Sequence, residues 1–248
     1  MQFMDVKTAG RTLKMFEAFS TLGRPLGMSE LAHHLQIPVS SCFAIVRTLE
    51  ARGYLYTLQD RGPVYPTGRL LQVATAIGAH DPLRQKLVEL SAALREELDE
   101  TVVIGALRGP DVVYLHSEES SQSIRYAPKV GSLRSAHANS IGKALLAGLD
   151  EPTLMNSLQK LGFEAFTPRT LTDAPALLAD LDAGRQCGWF KNLGESTSDL
   201  GAVACRVTAN GQSYGVSVAG PLGRIEAAGP DRIGRRLVQL CAVARQSG

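Results

Sequence analysis

The sequence is poor in cysteine and contains no long apolar run. Its four cysteines, Cys42, Cys187, Cys205 and Cys241, lie far apart, without the paired spacing of a zinc motif or the density of a secreted disulfide scaffold. No stretch of about 18 apolar residues is present, and residues 1–14 lack the basic-then-apolar order of a secretory signal. We therefore expect a cytoplasmic protein with no membrane partner and no bound metal, whose thiols are reduced and mostly buried.

Charged residues are also no more abundant than in an average soluble protein. They make up 20% of the 248 residues, against 44% hydrophobic residues, which excludes a disordered, collagen-like or coiled-coil protein. The length fits two ordinary domains. Residues 1–80 carry eight Lys and Arg against five acidic residues, and the remainder carries 18 against 19. An excess of three positive charges occurs on many solvated surfaces, so charge alone does not identify a polyanionic partner.

The first 68 residues have the pattern of a winged helix-turn-helix. Apolar residues at helical spacing follow Val6 as far as a break at Gly23, and a short helix follows with Ser29 as its predicted N-cap. A third helix runs from near Pro38 to Gly53, and a small hairpin comes next. In this arrangement the third helix enters the major groove of DNA, and the hairpin reaches phosphates. A three-helix motif that binds another protein is the alternative.

The predicted DNA-contacting residues lie on the polar face of the third helix and at the tip of the hairpin. They are Ser40, Ser41, Phe43, Ala44, Arg47 and Arg61.

The rest of the chain alternates strands and helices, which predicts an α+β domain with helices packed against an antiparallel sheet. A helix over residues 69–80 joins the two halves, and Asp81 and Pro82 are typical of the start of another helix, so we place the second domain at residues 81–248. The pattern also predicts a third strand over Ser123–Ala127 and one continuous final helix over Ile225–Arg245.

Several short motifs resemble those of one protein family, the IclR family of bacterial transcriptional regulators. The resemblance extends from the first helix to the last. Its clearest segments are Met28-Ser-Glu-Leu-Ala32, Leu49-Glu-Ala-Arg-Gly-Tyr54, Tyr65-Pro-Thr-Gly68, Gly142-Lys-Ala-Leu-Leu-Ala147 and Ser217-Val-Ala-Gly-Pro221.

This resemblance implies a winged-helix DNA-binding domain, a linker helix used in dimerisation, and a GAF-like C-terminal domain that binds a small organic effector. The expected partners are a double-stranded DNA operator, a small-molecule effector, and further copies of the chain in a homodimer or homotetramer. Members repress or activate catabolic operons, and we expect a repressor here.

The sequence departs from the family at positions that matter for recognition. Where many members carry Lys, Thr, His and Arg at the start of the recognition helix, this chain has Val39, Ser41, Phe43 and Ala44. Because Ala44 replaces this Arg, the chain lacks a side chain that commonly recognises guanine. The operator sequence of a relative therefore cannot be assumed for this protein. An alternative function is therefore a ligand-sensing module with little sequence-specific DNA binding.

The resemblance also implies an effector site built around the helix that begins near Asn139. Its carried-over residues are Tyr126, Arg134, Ser140, Ile141, Asn192, Ala202, Ser217 and Ala219. Backbone N–H groups at that helix start, with the Arg134 guanidinium, suit a carboxylate, and the Tyr126 ring suits an aromatic group. We therefore predict an aromatic carboxylate effector, with a solvent-facing Arg134 as the alternative.

An enzyme is not expected. Ser135, His137 and Ser140 lie close in sequence, but the chain has no Gly-x-Ser-x-Gly elbow, no His-Glu-x-x-His motif and no phosphate-binding loop in the proper context. No catalytic residue, metal ligand or cofactor is therefore predicted, and His137 is expected to form local hydrogen bonds or to pack near the effector site. Cys187 and Cys205 are a candidate redox pair, and inert buried thiols are the preferred interpretation.

Overall fold

The chain divides into two units, residues 1–81 and residues 82–248. The structure, a computed structural model, describes residues 6–59, 62–79, 87–209 and 211–246. Within those residues, no helix combines the length and apolarity needed to cross a membrane.

The first unit has the predicted order of three helices, a hairpin and a further helix. Its elements are α1 (Lys7–Leu22), α2 (Met28–His34), α3 (Val39–Ala51), β1 (Leu55–Thr57), β2 (Val64–Pro66) and α4 (Arg69–Ala79). The two strands pair antiparallel, with Tyr56 opposite Tyr65.

Local sequence explains most of these boundaries. Helix α1 ends at Gly23, whose φ of 63° is the left-handed conformation that glycine adopts without strain. Helix α3 buries the four predicted residues Cys42, Ile45, Val46 and Leu49. The prediction that Ser29 is the N-cap of α2 is wrong, because the Leu31 N–H donates to the Gly27 carbonyl at 2.9 Å and the helix starts at Met28.

The second unit is a six-stranded antiparallel sheet covered by helices. Its strands are β3 (Thr101–Arg108), β4 (Asp111–Glu118), β5 (Leu133–Ser135), β6 (Phe190–Leu193), β7 (Leu200–Ala209) and β8 (Gln212–Pro221), arranged in the order β5-β4-β3-β8-β7-β6. Its helices are α5 (Glu89–Leu98), α6 (Ser140–Leu146), α7 (Glu151–Leu158), α8 (Ala174–Cys187), α9 (Leu222–Ala228) and α10 (Pro230–Gln246). The predicted α+β fold class, a winged helix-turn-helix followed by an α/β domain, is confirmed.

The two faces of the sheet belong to two hydrophobic cores. Val102 and Ile104 pack with α5 and α10, whereas Val103, between them, packs with α6 and α8. Successive side chains of a strand point to opposite faces, so a strand with helices on both sides is apolar along its whole length. Helix α6 lies especially close to the sheet, since a Cβ on Gly215 would come within 2.4 Å of the Ile141 side chain.

Three further expectations differ from the structure or lie outside it. Ser123–Ala127 is not a strand, and β5 pairs with β4 instead. The final helix is two helices, because Gly229, with a φ of 81°, and Pro230 separate α9 from α10. The predicted helix start at Asp81 and Pro82 lies outside the described residues.

Candidate DNA-binding surface and effector cavity

Helix α3 presents a polar face opposite its four buried residues. Ser40, Phe43, Ala44 and Arg47 are exposed on this face, and Ser41 is partly exposed. Arg61, the predicted phosphate contact at the hairpin tip, lies outside the described residues. The face has the exposure that contact with base edges requires.

Arg47 is the one long basic side chain among the predicted residues of α3. Its Cζ lies 5.6 Å from the centroid of the Phe43 ring, and its Nη1 lies 3.5 Å from Glu50 Oε2. The other Glu50 oxygen accepts a hydrogen bond from the Thr57 hydroxyl of the hairpin. The Arg47 side chain remains 68% exposed, so these contacts orient the guanidinium without removing it from solvent.

The N-terminal end of α3 is open to an anion. Pro38 precedes the helix, and in the described part of the chain no side chain accepts a hydrogen bond from the first-turn N–H groups as a cap. The first turn carries no acidic residue. Unsatisfied N–H groups at the positive end of a helix suit a phosphate oxygen.

In the second unit, seven of the eight predicted effector residues line one inner cavity between α6 and the sheet. The seven are Tyr126, Ser140, Ile141, Asn192, Ala202, Ser217 and Ala219. The cavity has a volume of only about 10 Å³, enough for about one water molecule. An aromatic ligand therefore does not fit in this conformation.

Strand register explains why residues distant in sequence meet at this cavity. Asn192 of β6 lies opposite Ala202 of β7, and Ala202 lies opposite Ala219 of β8. Ser217, two residues before Ala219, is on the same face, where its hydroxyl lies 3.2 Å from that of Ser140 at the start of α6. Small side chains on this face leave the space that the cavity occupies.

Asn139 and Asn192 organise the polar groups of the inner cavity. Asn139 Oδ1 accepts hydrogen bonds from the N–H groups of Ile141 and Gly142, at 2.9 and 3.3 Å. These are the N–H groups expected to hold a carboxylate, and they already have an acceptor. Asn192 Nδ2 donates to the Ala138 carbonyl and to the Ser196 hydroxyl, both at 2.9 Å.

Two tyrosines, Tyr114 and Tyr126, line both the inner cavity and a larger outer cleft. Tyr114 Oη accepts a hydrogen bond from Asn139 Nδ2 at 2.8 Å and lies 3.5 Å from Tyr126 Oη. Burial raises the pKa of the Tyr114 phenol above its ordinary value, and the neighbouring Tyr126 acts in the same direction. Sequence reasoning missed Tyr114 and Asn139, although Asn139 precedes a helix and asparagine is a preferred N-cap residue.

Arg134, the eighth predicted residue, lines the outer cleft instead of the inner cavity. The cleft has a volume of about 520 Å³ and shares Tyr114 and Tyr126 with the inner cavity. The Arg134 side chain is exposed, with Cζ 5.9 Å from the centroid of the Tyr114 ring and Nη1 donating to the Leu133 carbonyl. Its guanidinium is therefore close to the tyrosine pair but still accessible to a ligand.

A buried ion pair lies behind the inner cavity. Lys143 of α6 is fully buried; its Nζ lies 2.6 Å from Glu195 Oε1 and 3.0 Å from Asp180 Oδ2, and donates to the Lys191 carbonyl. Burial raises the pKa of the Glu195 carboxyl above its ordinary value, while the Lys143 ammonium acts in the opposite direction. The second oxygen of Glu195 has no hydrogen-bond partner in the described part of the chain.

Both ring nitrogens of His137 have a hydrogen-bond partner, and one of the two partners, Ser135, is local in sequence. Its Nδ1 lies 3.0 Å from the Ser135 hydroxyl, and its Nε2 lies 3.1 Å from the Glu164 carbonyl. The ring is fully buried against Phe163 and Phe166, and burial lowers the pKa of the imidazole. Among the described residues, no group of three or more His, Cys, Asp or Glu side chains is placed to hold a metal ion.

Both units match models of known domains. Residues 8–59 match the IclR helix-turn-helix domain, and residues 75–246 match the C-terminal domain of the bacterial transcriptional regulator IclR. The HTH-type transcriptional repressor AllR of Escherichia coli strain K12 is 26% identical over 224 residues, which cover 87% of this chain and 80% of AllR. The relatives that match are named as transcriptional regulators and not as enzymes. This confirms the expectation of a regulator.

Solved structures share the fold over nearly the whole chain. The IclR protein of Thermotoga maritima has a TM-score of 0.81 at 19% identity, covering 98% of this chain and 99% of that one. An IclR homologue from Microbacterium hydrocarbonoxydans, solved in complex with 4-hydroxybenzoate, has a TM-score of 0.73 at 20% identity, with 97% and 100% covered. With family models matching both units, the chain belongs to the IclR family of bacterial transcriptional regulators.

Proposed function

We propose that the protein is a homo-oligomeric transcriptional repressor that binds an operator and is controlled by a small aromatic carboxylate. The single observation that carries the effector class is the placement of Arg134 beside the Tyr114–Tyr126 pair, at a cleft large enough for a substituted benzoate. Chromosomal DNA lies in the bacterial cytoplasm, so this function places the protein there.

The carboxylate would pair with Arg134, and the aromatic ring would lie against Tyr126. A planar guanidinium forms two parallel hydrogen bonds to a carboxylate, and aromatic rings pack favourably on one another. Asp111 and Glu164 also line the outer cleft, so among its described lining residues Arg134 is the group that favours an anion. The 4-hydroxybenzoate complex of the Microbacterium hydrocarbonoxydans homologue supports the same ligand class for this chain.

An exposed apolar face on α4 supports assembly with a second copy. Leu71 is 72% exposed and Ile77 is 68% exposed, and Leu70 and Val73 are exposed on the same helix. Exposed large apolar side chains grouped on one helix typically mark a protein interface. The resemblance to a family with a dimerising linker helix supports a homodimer or homotetramer through α4.

The name of AllR supports repression as the mode of action. For an effector to change DNA binding, it must bind the DNA-competent and DNA-incompetent states with different affinity, typically by 1–3 kcal/mol, about 5- to 150-fold.

Calorimetry with 4-hydroxybenzoate tests the effector class. We expect binding of 4-hydroxybenzoate, weak or no binding of the neutral 4-hydroxybenzamide, and a loss of affinity of about tenfold or more in Arg134→Ala, since a hydrogen bond to a charged group contributes roughly 1.5–3 kcal/mol. Arg125→Ala is the matched control, because Arg125 pairs with Glu119 and does not line the cleft. Equal affinity of Arg134→Ala and the parent protein contradicts the proposed carboxylate contact.

A sensing module with little sequence-specific DNA binding is the second candidate. It is favoured by Ala44 and Val39, which place short apolar side chains on the exposed face of α3. Gel shifts over a range of salt concentrations, with the DNA upstream of the gene and a random duplex of equal length, separate the two functions. A preference for the upstream DNA of about 1,000-fold or more supports the repressor, and equal affinities support the second candidate.

A further inference from the structure

Two cysteines that are 36 positions apart in the sequence meet in the second unit. Cys205 Sγ of β7 lies 3.2 Å from Cys241 Sγ of α10, and both residues are buried. From the sequence, Cys187 is the candidate redox partner of Cys205, and inert buried thiols are the preferred interpretation. Cys187 is instead exposed, and its Sγ lies 3.2 Å from the Trp189 carbonyl. The packing of α10 on β7 therefore makes a thiol pair that spacing along the chain does not indicate.

A surface cavity reaches this pair. It has a volume of about 270 Å³, and Cys205 and Cys241 are among its lining residues. Arg206 and Arg185, which pairs with Asp182, line the same cavity, so a small molecule that enters it meets basic side chains. Thiols that react with peroxides lie in electropositive surroundings of this kind, with a second thiol in reach. The cavity is separate from the inner cavity and the outer cleft, with which it shares no lining residue.

We propose that Cys205 and Cys241 are a reversible dithiol–disulfide site for oxidants of the peroxide class. In the first step one thiolate attacks the O–O bond of hydrogen peroxide, which gives a sulfenic acid and, with the thiol proton, one molecule of water. In the second step the other thiol attacks the sulfenic sulfur, the S–S bond forms and a second water leaves. The two thiols lose two electrons and two protons, and the peroxide is reduced to water.

The geometry requires only a small movement. A disulfide has an S–S distance of about 2.04 Å, so the two sulfur atoms, 3.2 Å apart, must approach by roughly 1.2 Å. The bond would join α10 to a strand that also contributes Ala202 to the inner cavity. Cys42 cannot replace either partner, because it is fully buried in the other unit, where burial raises the pKa of its thiol.

Thiol counting on the full-length protein tests the proposal. After treatment with a small molar excess of hydrogen peroxide and denaturation, we expect the number of reactive thiols to fall from four to two and to return to four with dithiothreitol. Mass spectrometry of a non-reduced digest should show the Cys205 and Cys241 peptides linked, with a loss of two hydrogens. The proposal would be overturned if oxygen adducts were found on Cys187 while Cys205 and Cys241 remained reduced.

Variants separate this pair from the other cysteines. After peroxide treatment, the Cys187→Ser variant should still lose two thiols. The Cys205→Ala and Cys241→Ala variants should each form no internal disulfide. Alanine is used because a buried cysteine behaves as a small apolar residue. The parent protein should also melt roughly 4–15 °C higher when oxidised than when reduced, because a disulfide restricts the unfolded chain. An unchanged melting temperature together with four remaining thiols contradicts the site without requiring any variant to fold.

Discussion

Lys143 Nζ lies 2.6 Å from Glu195 Oε1, and this buried ion pair joins two segments that contribute walls to the inner cavity. Lys143 follows Ser140 in α6, and Glu195 lies between Asn192 and Ser196, which both line the inner cavity. The Glu195 N–H donates to Asn192 Oδ1 at 2.8 Å, so the segment after β6 is connected to α6 through charged and polar contacts. A change in this pair is therefore expected to affect both the stability and the shape of the cavity.

We predict that Lys143→Met destabilises the second unit by about 3–5 kcal/mol, because it leaves the Glu195 carboxylate buried without its partner. Urea unfolding at neutral pH measures the loss. Lys160→Met removes an exposed lysine and is the matched control, with an expected change within about 0.5 kcal/mol. The double variant with Glu195→Gln should be less destabilised than Lys143→Met alone, because it buries no unpaired Glu195 charge. Equal losses for both lysine variants would contradict this account of the pair.

The buried His137 predicts a loss of stability on acidification. Burial lowers the pKa of its imidazole below the ordinary value of about 6.5, so the unfolded chain binds this proton more readily than the folded one. The stabilising contribution is therefore complete above pH 6.5 and is lost as the pH falls through the folded-state pKa. The difference in unfolding free energy between the parent protein and His137→Gln should shrink from pH 7.5 to pH 5.5. Leu158→Ala, at a buried residue of the same unit that carries no titratable group, should show no such shrinkage.

Gly142 is predicted to tolerate no side chain. A Cβ at this position would lie 2.2 Å from the Ala136 carbonyl oxygen and 2.5 Å from Ala136 Cα, and a backbone neighbour cannot rotate away. Gly142→Ala should cost about 2 kcal/mol or more in thermal or urea unfolding, as overpacking does. Gly223→Ala is the control, since nothing lies within 4 Å of its Cβ position, and it should be neutral or slightly stabilising. A neutral Gly142→Ala would show that α6 is less tightly held than the structure describes.

Arg47 is predicted to contact DNA. If it pairs with a phosphate, Arg47→Ala should weaken binding to all duplexes alike and reduce the slope of log affinity against log salt by about one. If it reads a guanine, the loss should be about 1–3 kcal/mol and confined to the operator. Fluorescence anisotropy with upstream and random duplexes distinguishes these results, with Arg125→Ala in the other unit as the control. Unchanged affinity for both duplexes would remove Arg47 from the proposed interface.

Periodicity and turn residues predicted much of the fold from the sequence alone. The buried positions of α3 and the end of α1 at Gly23 followed from apolar spacing and from a break at glycine, because these signals are local. The errors have local causes as well: Ser29 was preferred as a cap over Gly27, and the separation of α9 from α10 at Gly229 interrupts a pattern that is otherwise helical. Strand β5 was missed because three residues are too few to show alternation.

The sequence by itself determined the family, the order of the elements and the face of α3 that remains exposed. These features follow from motifs and apolar spacing, which are properties of neighbouring residues. Only the tertiary structure decided that Arg134 lines the outer cleft, that Tyr114 and Asn139 line the inner cavity with the predicted effector residues, and that Cys205 meets Cys241. Those relationships depend on strand register and on helix packing across the sheet, which bring together residues from distant parts of the chain.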